Sequence, residues 1–240
     1  QTLNAEKSLV VPQENEAAPL GQDEGTNAPA PLVLTLQSRT RSDEQSEGRT
    51  VFAVAKGCCY GVDSVTGEPI WRRAIGQETP FFPIPIPTAN PGALTSNTLR
   101  NEVVALAERT GELLWRLPIG DDAAGPPLIE GGQIYLAGVS NQLFKIDLET
   151  GRLTGQLRFS QPLLTPPIAT PDGEHLVAVG DRELIYTVAL REFACVAVTH
   201  TGHKRGTVQA PITATVEAPL VGMGSLILLA ENDQSGSCRL

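Results

Sequence analysis

The sequence predicts an all-β chain built from repeated four-stranded units. Three observations carry that expectation. Glycine (23) and proline (19) are abundant in 240 residues while methionine is single, a balance that favours turn-rich strands over helices. Apolar and polar residues alternate in short runs such as QIYLAGV and QLFKIDL, and no 3.6-residue spacing is found. The chain also repeats itself at intervals of about 40 residues.

The repeat begins after Arg49. GCCYGVDSVTGEPIWRRAIG, from Gly57, matches NEVVALAERTGELLWRLPIG, from Asn101, at a shift of 44. Thr66-Gly67-Glu68 then falls on Thr110-Gly111-Glu112, Trp71-Arg72 on Trp115-Arg116, and Ile75-Gly76 on Ile119-Gly120. A third copy from Asn141 matches through Thr150-Gly151 and has Gly155 where the others have Trp. Later copies show only their lead-ins, at Pro167 and Ala218.

Each copy reads in the same order: a proline-marked lead-in, a short apolar strand, a second alternating strand, a tight turn at Thr-Gly, and a third strand carrying Trp. Glycine supplies the positive φ that the turn needs, and the neighbouring Asp and Thr side chains bond its backbone. A unit of this size with several short strands is one blade of a β-propeller. The region from Arg49 holds four or five such blades. It is expected to form an incomplete or unusually small ring, or one that missing sequence or another chain completes. The blades are placed at approximately 31–79, 80–124, 125–164, 165–210 and 211–240.

The pattern (D/E)-x-x-T-G-x-x-x-W-x-x-x-x-G resembles the PQQ-like propeller repeat. It is carried in full by Asp63 through Gly67 with Trp71 and Gly76, and by Glu108 through Gly111 with Trp115 and Gly120 except that Glu108 stands one residue nearer to Thr-Gly than the pattern's acidic position. Asp147 through Gly151 carries it in part. The resemblance implies that Trp71 and Trp115 pack between neighbouring blades, with Gly67, Gly111 and Gly151 as turn markers. It covers quinone-dependent dehydrogenases and also non-catalytic proteins such as the bacterial outer-membrane assembly lipoprotein. Two functions follow as expectations: a scaffold for protein or peptide binding without cofactor, as part of a larger bacterial extracytoplasmic protein; and, as the alternative, a fragment of an alcohol dehydrogenase using PQQ and Ca²⁺.

Residues 1–30, rich in Glu, Gln, Asn and Pro, read as a flexible acidic segment, and Leu32 to Leu36 as one strand that joins the body. A chain that begins at Gln1 with no apolar leader is expected to have lost one or to continue a longer protein. The net charge is −9 and no basic run exceeds Lys204-Arg205, which argues against nucleic acid as partner. No run approaches the roughly 20 apolar residues of a membrane span. Four cysteines without a CxxC pair give no zinc pattern.

Candidate chemistry is sparse. Glu102, Asp121, Asp122, Asp172, Asp181, Glu183, Glu231 and Asp233 are carboxylates in no enzyme motif, and the Asp121-Asp122 pair reads as a solvated loop. His200, His203, Lys204 and Arg205 form a polar hairpin tip: either an anion or carboxylate site or a plain exposed turn. Phe81 and Phe82 head the run PFFPIPIP, which offers few backbone donors; they form either a contact patch or an inter-blade packing segment.

Adjacent cysteines sit on the cofactor in several quinone dehydrogenases, so Cys58-Cys59 tests the resemblance. The repeat alignment puts them on Glu102-Val103 and Gln142-Leu143, regular strand positions whose side chains point to opposite faces. Cys59 is therefore expected in the core and Cys58 on the other face, unbonded to each other.

Overall fold

The computed structural model describes residues 49–77, 79–181, 184–200, 216, 218–232 and 238–239. Every regular element in them is a β-strand. Blade 1 holds β1 (Thr50–Ala55), β2 (Cys58–Asp63) and β3 (Pro69–Ala74); blade 2 holds β4 (Ile84–Ile86), β5 (Gly92–Asn97), β6 (Glu102–Ala107) and β7 (Leu113–Pro118). Blade 3 runs β8 (Leu128–Glu130), β9 (Gln133–Gly138), β10 (Gln142–Asp147), β11 (Leu153–Arg158), and blade 4 runs β12 (Ile168–Ala169), β13 (His175–Val179), β14 (Leu184–Ala189), β15 (Ala194–His200). A fifth begins with the hairpin β16 (Val221–Met223) and β17 (Leu226–Leu228), followed by the paired β18 (Glu231–Asn232) and β19 (Cys238–Arg239).

All pairings within the blades are antiparallel between sequence neighbours, so each blade is a meander. The repeat extends to irregularities. In blades 1 to 4 the register slips by one residue between the last two strands, at Gly61/Val62, Ala105/Leu106, Lys145/Ile146 and Thr187/Val188. A bulge at the same place in every copy sharpens the local twist of the outer strand.

Alternation explains the core. On β6, Val103 and Ala105 join Ile134, Leu136 and Phe144 of blade 3, while Val104 and Leu106 join Cys59 and Trp71 of blade 1. Tyr135 and Leu143 likewise pack with Leu176 and Tyr186 of blade 4, and Val177 and Val179 with Leu220 and Ile227 of the fifth. Both faces of an inner blade are apolar because each is covered by a neighbour. The core is thus a series of layers between blades.

Cys59 lies fully buried in the first layer, and Cys58 on the opposite face, as the alignment requires. Both are free thiols. Cys58 is also buried, because the Nε of Arg72 reaches across to donate to its Sγ at 3.2 Å. Its counterpart Glu102 faces Arg116 at 3.9 Å, and Gln142 accepts from Gln156. The position is a cross-strand polar pair in three blades, filled by a thiol in the first.

One docking arrangement joins the blades. Trp71 of β3 lies on the Thr-Gly turn of blade 2, its Nε1 donating to the Glu108 carbonyl at 2.7 Å, and a Cβ on Gly111 would stand 2.5 Å from the indole. Trp115 repeats this on blade 3, donating to the Leu148 carbonyl at 3.1 Å and lying over Gly151. At the third interface the Trp position is Gly155 and the turn position is Phe193, with φ of 49° where the turns of blades 1 to 3 have glycine. Phe193 now supplies the ring, since a Cβ on Gly155 would stand 2.5 Å from it. Lys145, opposite Gly155, supplies the donor: its Nζ bonds the Leu190 carbonyl at 3.2 Å, the counterpart of Glu108 and Leu148. The bulk has moved to the other side of the seam and the hydrogen bond has been kept.

Candidate interaction surface

The meander gives each blade two ends. The turn between the second and third strands and the linker to the next blade share one end; the Thr-Gly turns lie at the other.

The Thr-Gly end is built by side-chain caps. Asp63 Oδ1 accepts from the Val65 and Thr66 amides, both at 2.8 Å, and Asp147 Oδ1 from the Thr150 amide and hydroxyl at 2.8 and 2.6 Å. These bonds stabilise the charged form, so both carboxyls titrate below their ordinary value: Asp63 chiefly through the Thr66 amide, Asp147 chiefly through the Thr150 hydroxyl. In blade 2 the equivalent position is Ala107, so its turn lacks the carboxylate cap and keeps the backbone bond from the Gly111 amide to the Ala107 carbonyl and the bond from the Glu112 amide to the Thr110 hydroxyl at 3.2 Å.

The linker end is where the chain crosses between blades, and it is tied down. Thr98 Oγ1 donates to the Ile75 and Gln77 carbonyls at 3.3 and 2.9 Å. Val139 N bonds the Asp122 carbonyl at 2.9 Å, and Asp181 N the Pro162 carbonyl at 2.9 Å. Ala123 pairs with Gly138 and Leu163 with Gly180 in isolated bridges.

Asp121 corrects the solvated-loop expectation. It is buried, and its carboxylate accepts from the Asp122 amide at 2.9 Å, the Ser140 hydroxyl at 2.9 Å and the Ser140 amide at 3.1 Å. A buried carboxylate with three donors is a structural clamp. The sequence signal was there in Gly138: a Cβ would collide with the Asp121 carboxylate.

The Phe pair divides. Phe81 is buried in the layer between blades 2 and 3, so it is core and not contact patch. Phe82 is 79% exposed, on the linker end. Exposing a phenyl ring on a pinned linker needs a reason beyond packing. Leu99 in the adjoining turn of blade 2 and Leu164 in the third linker are exposed as well.

His200 ends the exposed outer strand β15, whereas His203, Lys204 and Arg205 lie outside the described residues. Asp172, Glu174 and His175 present ligand atoms close together on the first turn of blade 4. Asp172 is spent on that turn, accepting from the Thr170 hydroxyl and from the Glu174 amide at 2.9 Å, which holds its carboxyl below the ordinary value.

The donor set of a quinone and Ca²⁺ site is not assembled among the described residues. The buried carboxylates, Glu102 and Asp121, are committed to Arg116 and Ser140, and the two cysteines point away from each other. No helix among these residues is long and apolar enough to cross a membrane.

Comparison with known proteins agrees with the geometry. The family model described as outer membrane protein assembly factor BamB matches residues 55–192. The BamB of Vibrio cholerae is 26% identical over 145 residues, 55% of this chain and 36% of the relative, so the chain spans about a third of that protein's length. Among solved structures, BamB from Moraxella catarrhalis superposes with a TM-score of 0.56 at 17% identity, covering 81% of this chain and 58% of that one. The Kuenenia stuttgartiensis hydrazine synthase gives 0.55 at 16% identity, covering 76% of this chain and 52% of that one. An enzyme and an assembly factor on one fold show that the blades alone do not fix an activity. With blade-by-blade docking and a family match over more than half of its length, the chain belongs to the PQQ-like β-propeller family described as outer membrane protein assembly factor BamB.

Proposed function

We propose that the chain is a non-catalytic propeller scaffold that binds protein or peptide segments at the linker end of its blades. The observation that carries this reading is Phe82, exposed beside Phe81, which anchors the linker in the core. An aromatic ring held at the surface by a rigid frame loses little entropy on binding. The relatives described as assembly factors support an extracytoplasmic role with polypeptide partners. Further blades, from a longer chain or another one, complete the arc, and the His200 region is a second contact candidate. The committed carboxylates give the quinone dehydrogenase alternative no support.

The test is photo-crosslinking to unfolded outer-membrane barrel chains, with a benzophenone side chain at position 82 and, as control, at position 65 on the Thr-Gly end. Crosslinks are expected from position 82, and Phe82→Ser is expected to weaken binding about tenfold. Equal crosslinking from both positions would contradict the proposal. So would alcohol-dependent dye reduction after adding quinone and Ca²⁺.

A further inference from the structure

The turns at the linker end repeat a cation. Two residues before β2, β6 and β14 stand Lys56, Arg100 and Arg182, and before β10 the same place is Ser140, whose hydroxyl is taken by Asp121. A basic residue recurring at one repeat position is unexpected in a chain of net charge −9. Turn geometry does not call for it either. Lys56 holds a φ of 49°, and in the next two turns Asn101 and Asn141 hold the positive φ, a task that suits Asn better than Lys.

Lys56 and Arg100 are both exposed, and among the described residues neither is paired with a carboxylate. Their turns are fixed to one stretch of linker. The Gly57 carbonyl accepts from the Ile75 and Gly76 amides at 2.9 and 3.1 Å. Thr98 donates its amide to the Ile75 carbonyl and its hydroxyl to the Gln77 carbonyl, both at 2.9 Å. The two cations therefore flank the linker that leads to Phe82, and Leu99, 68% exposed, adjoins Arg100 in its turn. Among the described residues the exposed carboxylate at this end is Asp122, in the following linker. Glu78 and Arg182, like the strand expected at Leu32 to Leu36, lie outside the described residues. The Thr-Gly end has the opposite balance: Glu68, Glu112, Glu149, Asp172, Glu174 and Glu192 are exposed there and outnumber its exposed arginines.

We propose that the polypeptide segment bound at the linker end is an acidic one, with an apolar side chain against Phe82 and Leu99 and carboxylates facing Lys56 and Arg100. The proposal rests on the reading of Phe82 as a partner surface and adds the partner's charge. The cations complement such a segment, and the carboxylates of the Thr-Gly end repel it, so the field of the whole chain steers it to one end. Exposed cations act chiefly on the association rate and are screened by salt.

Fluorescence anisotropy on the full chain tests the proposal with two labelled peptides of the same aromatic sequence, one carrying glutamates and the other lysines at the same places. The glutamate peptide is expected to bind at least about tenfold more tightly, with an affinity that falls as salt is raised. Lys56→Asn/Arg100→Ser, which keeps a residue suited to positive φ at position 56, is expected to weaken that binding about tenfold and to flatten its salt dependence, with thermal unfolding unchanged. Equal binding of both peptides, or unchanged binding in the double variant, would overturn the proposal. Binding of both peptides that is lost only in Phe82→Ser would overturn the acidic partner and uphold the partner surface; glutamate-peptide binding that survives Phe82→Ser but not the double variant would do the reverse. Self-association of the chain, or capture by phosphatidylglycerol vesicles, that depends on Lys56 and Arg100 while neither peptide binds would overturn it in favour of a second copy or a lipid surface.

Discussion

The indole of Trp71 and the α-carbon of Gly111 belong to different blades, yet they lie so close that no side chain fits between them. Gly111 also holds a φ of 64° and lends its carbonyl to Arg73 Nε at 2.6 Å. Turn, seam and hydrogen bond thus converge on one residue that carries no side chain.

Gly111→Ala and Gly151→Ala should therefore be far more damaging than a glycine turn alone explains. Each combines left-handed strain with a collision against Trp71 or Trp115, and a loss of about 3 kcal/mol is expected in denaturant unfolding. Gly120→Ala has the same kind of φ, 65°, with open space around it, and should cost only about 1 kcal/mol. Equal losses at the three sites would show that Trp docking adds nothing.

The Thr-Gly caps predict an acid limb in the stability profile. The folded carboxyls of Asp63 and Asp147 titrate below the ordinary value of 3.8, so their contribution is fully present above that value and is lost as pH falls through the lower folded one. Asp63→Asn and Asp147→Asn should flatten the dependence of unfolding on pH below about 4. An unchanged slope in the double variant would contradict the capping role.

The cysteines should divide by burial. Burial, and to a lesser degree Cys58 beside it, pushes the Cys59 thiol up to about 12, so almost no thiolate exists at neutral pH. Cys195 is exposed. Alkylation of the native protein followed by peptide mass mapping should label Cys195 readily and the Cys58-Cys59 peptide only after unfolding. A peptide two hydrogens lighter that cannot be alkylated would reveal a vicinal bond instead.

Much of this was legible in the sequence because strand alternation and turn glycine are local signals. The shift of 44 placed Cys58 opposite the Glu102 position, and the cross-strand partners Arg72 and Arg116 confirm the match. Phe81, Asp121 and Phe193 were harder to read because their surroundings come from other blades. A pair of phenylalanines does not say which ring turns inward, and an Asp pair beside Gly120 looks like a loop until Ser140 and Gly138 of the next blade are placed against it. Gly155 looked like a lost Trp. Its compensation lies 38 residues later, at Phe193, in a turn that has lost its Thr-Gly signature.

The exchange of partners at that third seam is the most direct test of the docking scheme, through a double-mutant cycle of Gly155→Trp and Phe193→Gly read by urea unfolding. Each single change should destabilise by about 2–3 kcal/mol, the first by collision with Phe193 and the second by leaving a void. Together they rebuild the arrangement of the first two seams and should recover most of that loss, giving a coupling of at least about 1.5 kcal/mol. Additive losses would contradict the claim that one ring and one glycine per seam hold these blades together.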